Sequence, residues 1–311
     1  MWKYFTCVTL LAAILPLSTH AISFRRNNSP ATNDANILNF ALSLEHLEYA
    51  FYNQGLSKFS DNDFQNGGQS KSVGGWYRQI LFNEQTHVQT LQETLSKMKV
   101  TAVQPCNYSF PYNDTKGFIM LSSIFETVGA SAYTGAVSLL SDKDLKSKAG
   151  SILGIEARQS AWITAVPQNA NPWSGQFQIP LTLNQAFTLA SPFIASCPPS
   201  NPKLPAKANP ALNISPAQAR PGDAVTLSFN NTSVSNGTQL YMVFQTYSGT
   251  RSASINRGNN SVVLPGVADL RGTVFASVST RNDSVDDSTT VAGPMVLLFP
   301  FDSSFTLLQV Q

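Results

Sequence analysis

The stretch LNFALSLEHLEYAFY, residues 38–52, decides the fold of the first half of the chain. Its apolar residues recur at every third or fourth position, which is the period of an α-helix with one buried face. At about 100° per residue, Glu45 and Glu48 fall inside that face, whereas His46 falls opposite it and is expected at the surface. Because a buried carboxylate costs several kcal/mol unless it is paired, protonated or bound to a cation, the two acids indicate a buried site.

Three further stretches have the same helical period, and each carries one glutamate on its apolar face. The predicted long helices cover residues 35–59, 74–99, 117–140 and 143–166, and a short fifth helix is predicted at Leu183–Ala190. The added acids are Glu84, Glu126 and Glu156. No Lys or Arg is predicted near the centre of these faces, so two divalent cations would balance the carboxylates. Four long helices with modest connections predict an all-α four-helix bundle.

The spacing of the polar residues repeats in two halves of the bundle. The first and third helices carry a glutamate followed by a tyrosine seven positions later, and the second and fourth carry a glutamate followed three positions later by a histidine or a glutamine. The pairs are Glu45 with Tyr52, Glu84 with His87, Glu126 with Tyr133, and Glu156 with Gln159. This is the layout of di-iron and di-manganese carboxylate bundles.

Six of these residues are the predicted metal ligands, and three others are predicted to support them. The predicted ligands are Glu45, Glu84, His87, Glu126, Glu156 and Gln159, and the predicted supporting residues are Glu48, Tyr52 and Tyr133. Oxygen and imidazole ligands suit iron or manganese, and also zinc. Gln159 offers only a neutral oxygen where the symmetric pattern has histidine, so one or two ions stay open. The tyrosines have an alternative interpretation as core aromatics, and Glu48 as the partner of a neighbouring helix.

Residues 35–166 resemble the ferritin-like domain of secreted fungal stress-response and sexual-development proteins and of plant desiccation-related proteins. The matching stretches are residues 38–52, NEQTH at 83–87, FETVGASAY at 125–133, IEARQ at 155–159 and, weakly, FIASCP at 193–198. The resemblance implies a ferritin-like bundle and a link to stress or development. The biochemical role of that family is poorly defined, so the resemblance determines architecture more than activity.

The first residues predict secretion. A charged start, an apolar run and Thr19-His20-Ala21 are typical of a signal peptide at 1–21, followed by an N-terminal extension at 22–34. The apolar run is too short to span a bilayer. Once Cys7 is removed, Cys106 and Cys197 are left, and an even count in an oxidising compartment predicts one disulfide. Glycosylation sequons occur at Asn27, Asn107, Asn113, Asn213, Asn230, Asn231, Asn236, Asn259 and Asn282.

The second half of the chain has a different pattern. The helical domain is predicted to cover 35–197 and to be followed by a proline-rich linker at 198–210. Residues 211–311 hold short runs rich in Val, Thr, Ser and Phe between turn signals. The predicted strands are 224–229, 240–247, 261–264, 273–280 and 294–299. The whole is therefore predicted to be a multidomain protein, a bundle followed by an all-β, immunoglobulin-like sandwich.

Three classes of function agree with these features. The first is a metal-binding protein, which if it is an enzyme would be a metal-dependent oxidoreductase acting as a ferroxidase or on peroxide. The second is a non-enzymatic structural or protective extracellular protein. The third is a cell-wall polysaccharide or glycan binder that uses Tyr241, Phe244 and Tyr247 of the β-domain. The formal net charge of +2 without a long basic run gives no sign of nucleic-acid binding. A monomer or small oligomer in the extracellular space or cell wall is expected.

Overall fold

The computed structural model describes residues 34–230, 234–235 and 237–309. Within these residues a helical domain comes first and a domain of antiparallel strands follows, which confirms the predicted fold class. The predicted signal peptide, nearly all of the N-terminal extension and the sequons at Asn27, Asn231 and Asn236 lie outside the described residues. Among the described helices, none has the length and hydrophobicity needed to cross a membrane.

Within the described residues, six α-helices form the helical domain. They are α1 (Asp34–Lys58), α2 (Asp61–Asn66), α3 (Val73–Lys97), α4 (Thr115–Val137), α5 (Lys143–Ala165) and α6 (Leu183–Ala190). The four long helices agree with the predicted ones to within three residues at each end. Helix α2 was not predicted, although it begins with a capping box in which Ser60 and Asp63 bond each other's backbone N–H. The glycines that follow this stretch indicated a connection between helices, so the helix was not predicted despite its capping box.

One end of the bundle is filled with aromatic side chains. Phe51 and Phe118 are stacked with their ring centroids 4.8 Å apart, and both are fully buried. Gly55 faces the ring of Phe118, and a β-carbon at that position would collide with it. Trp76 precedes Ile80 by one helical turn, so the period of α3 predicts it on the apolar face. In the structure Trp76 is 48% exposed, and Tyr77 is the fully buried aromatic residue of α3. At the start of α3 the buried aromatic position is therefore 77 and not 76, one residue later than the helical period predicts.

A small sheet and a disulfide close the helical domain. Strand β1 (Asn107–Tyr108), in the connection between α3 and α4, pairs antiparallel with β2 (Ile194–Ser196), which follows α6 and a single 3-10 turn. Cys106 and Cys197, which flank these two strands, form the predicted disulfide. The connection after the second long helix is thereby joined to the chain that leaves the bundle.

In the described part of the β-domain, seven strands form two antiparallel sheets. The first sheet has the order β3 (Leu212–Ser215), β4 (Ala224–Phe229), β7 (Ser261–Val263), and the second has the order β6 (Gly249–Ser254), β5 (Tyr241–Thr246), β8 (Gly272–Ser279), β9 (Thr290–Phe299). The sheets share one hydrophobic core. In a constant immunoglobulin domain the fourth strand lies in the sheet of the first, second and fifth strands. Here the fourth strand of the domain, β6, lies instead in the sheet of the third, sixth and seventh strands. That strand, GTRSAS, was missed because it carries no large apolar residue, and β3 was missed because it is short.

The two domains are packed against each other. Phe275 of β8 is fully buried in the core of the helical domain, and Gln185 of α6 donates to Gln245 of β5 at 2.9 Å. The proline-rich residues 198–210 also lie along the bundle, because Leu204 and Ala206 pack against its core. This segment therefore does not act as a free spacer.

Candidate metal centre

Six polar side chains from all four long helices meet in the middle of the bundle. Glu45, Glu84, Glu126 and Glu156 are each fully buried, and His87 and Gln159 are less than 10% exposed. The structure therefore brings together all six predicted ligands. Each of them comes from the apolar face on which the helical period placed it.

His87 lies at the centre of one half of this cluster. Its Nδ1 atom is 3.1 Å from Glu84 Oε2, 3.2 Å from Glu156 Oε1 and 3.3 Å from Glu45 Oε2. One ligand atom from each of these four residues lies within 4.8 Å of the others. Three carboxylates and one imidazole around a single point make a donor set suited to a divalent transition metal.

Gln159 occupies the equivalent position in the other half. Its Nε2 donates to Glu84 Oε1 at 2.5 Å and to Glu126 Oε2 at 3.0 Å. Asn83 Nδ2 donates to Gln159 Oε1 at 3.0 Å and so determines which end of the amide faces the carboxylates. An amide nitrogen has no lone pair for a metal, so in this arrangement Gln159 satisfies the two acids by hydrogen bonds instead.

The carboxylate oxygens without a partner show which half is suited to an ion. Glu45 Oε2, both oxygens of Glu156 and the neighbouring Glu48 Oε2 are buried and accept no hydrogen bond from a described residue, although His87 Nδ1 contacts Glu45 Oε2 and Glu156 Oε1. They belong to the His87 half, whereas both oxygens of Glu126 are occupied by Tyr52 and Gln159. Buried unpaired carboxylate oxygens are costly, and a bound cation relieves that cost. The His87 half therefore fits a single divalent metal ion.

The two tyrosines of the repeat bond across the bundle. Tyr52 of α1 donates to Glu126 of α4, and Tyr133 of α4 donates to Glu45 Oε1 of α1 at 2.5 Å. Each tyrosine thus pairs with the glutamate of the other helix, and this reciprocal pairing requires α1 and α4 to be antiparallel. Seven residues correspond to about 10 Å of helix, which is too far for a tyrosine to reach the glutamate on its own helix.

Glu48 is buried beside the cluster, as predicted for a supporting residue, and Gly129 makes room for it. A β-carbon at position 129 would lie 2.7 Å from Glu48 Oε1 and 2.7 Å from Glu156 Oε2. Glycine therefore lets both carboxylates approach the backbone of α4. The sequence carried a weak signal for this role, namely a glycine inside a helix three positions after Glu126.

The cluster is rich in buried carboxyl groups, and no Lys or Arg of the described residues forms an ion pair with it. Within the described part of the chain, the ion pairs that involve these acids are all formed with His87. Burial raises the pKa of Glu48, Glu84 and Glu126 well above the usual value, and neighbouring carboxylates raise it further. Burial likewise raises the pKa of Glu156, to about 7, although His87 opposes this shift. A divalent cation would favour the ionised form of all these groups.

His46 is not at the surface as predicted. It is 5% exposed, and its Nε2 is 3.2 Å from the carbonyl oxygen of Val103. The connection between α3 and α4 covers this side of α1. The helical period of α1 cannot predict this, because the connection belongs to another part of the chain. His46 therefore joins α1 to the connection, and burial lowers its pKa.

The aromatic residues proposed for glycan binding do not form an exposed platform. Phe244 is fully buried in the core of the β-domain. The ring of Tyr247 packs directly over Gly175 of the helical domain, and its hydroxyl accepts a bond from Arg271. Two of the three predicted residues therefore serve packing.

Comparison with known proteins agrees with this geometry. Residues 33–169 match the model of the ferritin-like domain family, so this part of the chain is a ferritin-like domain. The chain is similar to Protein rds1 of Schizosaccharomyces pombe, with 28% identity over 185 residues. That match spans 58% of this chain and 44% of the length of the relative. A solved structure of the conserved hypothetical protein rv2844 from Mycobacterium tuberculosis matches 43% of this chain and 97% of its own, with 20% identity and a TM-score of 0.37.

Proposed function

We propose that the ferritin-like domain binds one divalent transition-metal ion through Glu45, Glu84, His87 and Glu156. The observation that carries this proposal is the set of three buried carboxylate oxygens around His87 that accept no hydrogen bond from a described residue. In the second half, Gln159 donates hydrogen bonds to the carboxylates of Glu84 and Glu126 where a second ion would bind, so we propose one ion and not two. Iron or manganese suits the donor set best, and zinc is the alternative ion.

A bound iron or manganese ion would supply one-electron redox chemistry at this position. The chain itself holds the ligands in place, since Tyr133 orients Glu45 and Gln159 orients Glu84. A cavity of about 20 Å³ lies beside Glu48 and Gly129, which is room for about one water molecule. The four proposed ligands are themselves less than 10% exposed, so any turnover would concern small oxygen species or metal ions and not a bulky organic substrate.

Metal analysis tests the proposal. The purified full chain, reconstituted separately with iron, manganese and zinc and then desalted, is expected to retain one ion per chain. Glu84→Gln keeps the shape of the side chain and removes its charge, and it is expected to abolish retention. Glu93→Gln on the exposed face of the same helix is the matched control. Less than about a tenth of an ion per chain for all three metals would overturn the proposal.

We also propose that the protein is secreted and glycosylated. The disulfide between Cys106 and Cys197 supports an oxidising compartment. All six sequon asparagines in the described residues are exposed, namely Asn107, Asn113, Asn213, Asn230, Asn259 and Asn282. N-terminal sequencing and glycosidase treatment of protein from the culture medium test this. Protein found only inside the cell, starting at Met1, would refute it.

We propose a role in stress or development. The support for this role is the resemblance of the helical domain to the stress-response and development proteins alone. A buried metal centre agrees with a protective as well as with a redox role. The two are separated by assaying peroxide and ferrous-iron turnover in the metal-loaded chain and in the Glu84→Gln variant. Turnover in the first but not in the second would identify an enzyme, and none in either would identify a non-enzymatic protein.

A further inference from the structure

A large cavity lies at the junction of the two domains, separate from the metal cluster. Its volume is about 730 Å³, and its walls come from α4, α5, the loop at 167–179, and strands β8 and β9 with the residues after them. Small-molecule sites usually measure about 300–1,000 Å³ and are often found at domain junctions. Thr127 of α4 lines the cavity, while the adjacent Glu126 points into the bundle, so one helix separates the two sites.

The lining is almost uncharged and rich in hydrogen-bonding groups. Its charged side chain is Lys116, which is exposed, and no carboxylate is present among the described lining residues. Side-chain amides and hydroxyls dominate the polar part. Gln168 and Gln176 make no side-chain hydrogen bond to another described residue, so their amides are available to a ligand. An amide offers both a donor and an acceptor, which is the combination that a sugar hydroxyl needs.

Two exposed aromatic rings stand on the loop that borders the cavity. Trp173 is 65% exposed and Phe177 is 69% exposed. Large exposed apolar side chains that cluster at a cavity commonly mark a binding site. The apolar face of a pyranose ring, made of its C–H groups, stacks on such aromatic rings.

The loop is fixed by both domains and does not depend on a ligand for its position. Asn171 N donates to Phe301 O at 2.7 Å, and Thr273 N donates to Ser174 Oγ at 2.8 Å. Gly175 lies under the ring of Tyr247, where a β-carbon would collide with that ring. On the bundle side, Gln69 donates to the carbonyl of Pro167 at 3.1 Å. The backbone that carries Trp173 is thus held in place in advance, which reduces the ordering cost of binding.

We propose that this cavity binds a short neutral oligosaccharide. Among the described lining residues an acidic ligand would have only Lys116 to balance its charge, and a lipid chain would take the amides of Gln168 and Gln176 out of water without giving them a partner. A neutral sugar satisfies the amides through its hydroxyls and stacks on Trp173. The residues differ from the β-domain aromatics predicted from the sequence, and the site does not depend on the metal centre.

Tryptophan fluorescence and calorimetry with the full chain test the proposal. The probes are the hexasaccharides of β-1,3-glucan, chitin and cellulose, with an oligogalacturonate as the acidic probe and oleate as the lipid probe. We expect at least one neutral hexasaccharide to bind saturably, with the same affinity in metal-free and metal-loaded protein. Trp173→Ala is expected to weaken binding about tenfold or more, and Gln176→Ala about threefold or more.

Trp76→Ala is the matched control, because Trp76 is also exposed but lies on α3 outside the cavity. It is expected to bind like the unmodified chain. Circular dichroism and thermal melting of each variant identify any loss of binding that is caused by unfolding. If Trp173→Ala unfolds, Gln176→Ala still tests the proposal, because Gln176 is exposed. No binding of any neutral hexasaccharide, binding of oleate or oligogalacturonate only, or equal affinity of the unmodified chain and both cavity variants would overturn the proposal.

Discussion

Replacing the two tyrosines of the bundle one at a time separates a single metal site from a symmetric pair. Tyr133→Phe removes the hydroxyl that donates to Glu45, which belongs to the group around His87. Tyr52→Phe removes the hydroxyl that donates to Glu126, which belongs to the half closed by Gln159. The chemical change is the same and both rings are buried, so each variant is the control for the other.

The expected magnitudes follow from the partners of each glutamate. Glu45 Oε2 already has no hydrogen-bond partner, so Tyr133→Phe leaves neither oxygen of that carboxylate oriented by a hydrogen bond. Loss of such a partner behind a ligand typically lowers metal affinity about 10- to 100-fold, which is about 1.4–2.7 kcal/mol. Glu126 keeps its bond from Gln159 after Tyr52→Phe and is not in the proposed ligand group. The affinity of that variant is therefore expected to stay within about threefold of the unmodified chain.

Competition with a chromophoric chelator measures the dissociation constant for manganese and for zinc in both variants. Thermal melts of the metal-free proteins show whether each variant is folded. A similar loss of affinity in the two variants would refute a single site at His87 and would favour a di-metal centre. An unchanged affinity in Tyr133→Phe would show that Glu45 is not a ligand.

Four other predictions follow from the same contacts. Gln159→His restores the symmetric pattern, and metal analysis is expected to show a second ion per chain; a stoichiometry that stays at one would show that more than this residue closes the second half. Gly129→Ala places a β-carbon 2.7 Å from two carboxylate oxygens and is expected to lower the free energy of unfolding by about 1–3 kcal/mol, which chemical denaturation measures; an unchanged value would mean that the carboxylates move aside freely. In metal-free protein the pKa of Glu156 is raised to about 7, so the folded state binds more protons than the unfolded state between about pH 4.5 and 7. The titration of Glu156 alone is expected to lower the free energy of unfolding by about 3 kcal/mol as the pH rises through this window, and the raised pKa of Glu48, Glu84 and Glu126 acts in the same direction. Added metal should remove much of this fall, and a metal-free protein that becomes more stable with rising pH would contradict the assigned direction. Reduction of the disulfide, which joins residues 91 positions apart, is expected to cost about 4–5 kcal/mol of unfolding free energy, measured by denaturation with and without reductant, and equal stability in the two conditions would contradict it.

Several features of the centre could be predicted because they depend on one helix at a time. The period of 3.6 residues places Glu45, Glu84, Glu126 and Glu156 on buried faces, and their burial in the structure follows from that period. The same local rule failed for His46 and for Trp76, because other parts of the chain decide which side of a helix is covered. Helical spacing specifies a direction around the axis but not the neighbour found in that direction.

The amino-acid sequence by itself determined the number and extent of the long helices, the change to strands after residue 197, and the gathering of carboxylates with one histidine inside the bundle. Only the tertiary structure decided how these groups pair. The antiparallel arrangement of α1 and α4 brings each tyrosine to the other helix's glutamate, and the bond from Asn83 turns the Gln159 amide toward the carboxylates. The docking of the β-domain on α4 and α5 creates the second cavity. These features depend on distances between segments far apart in the chain, which local periodicity does not contain.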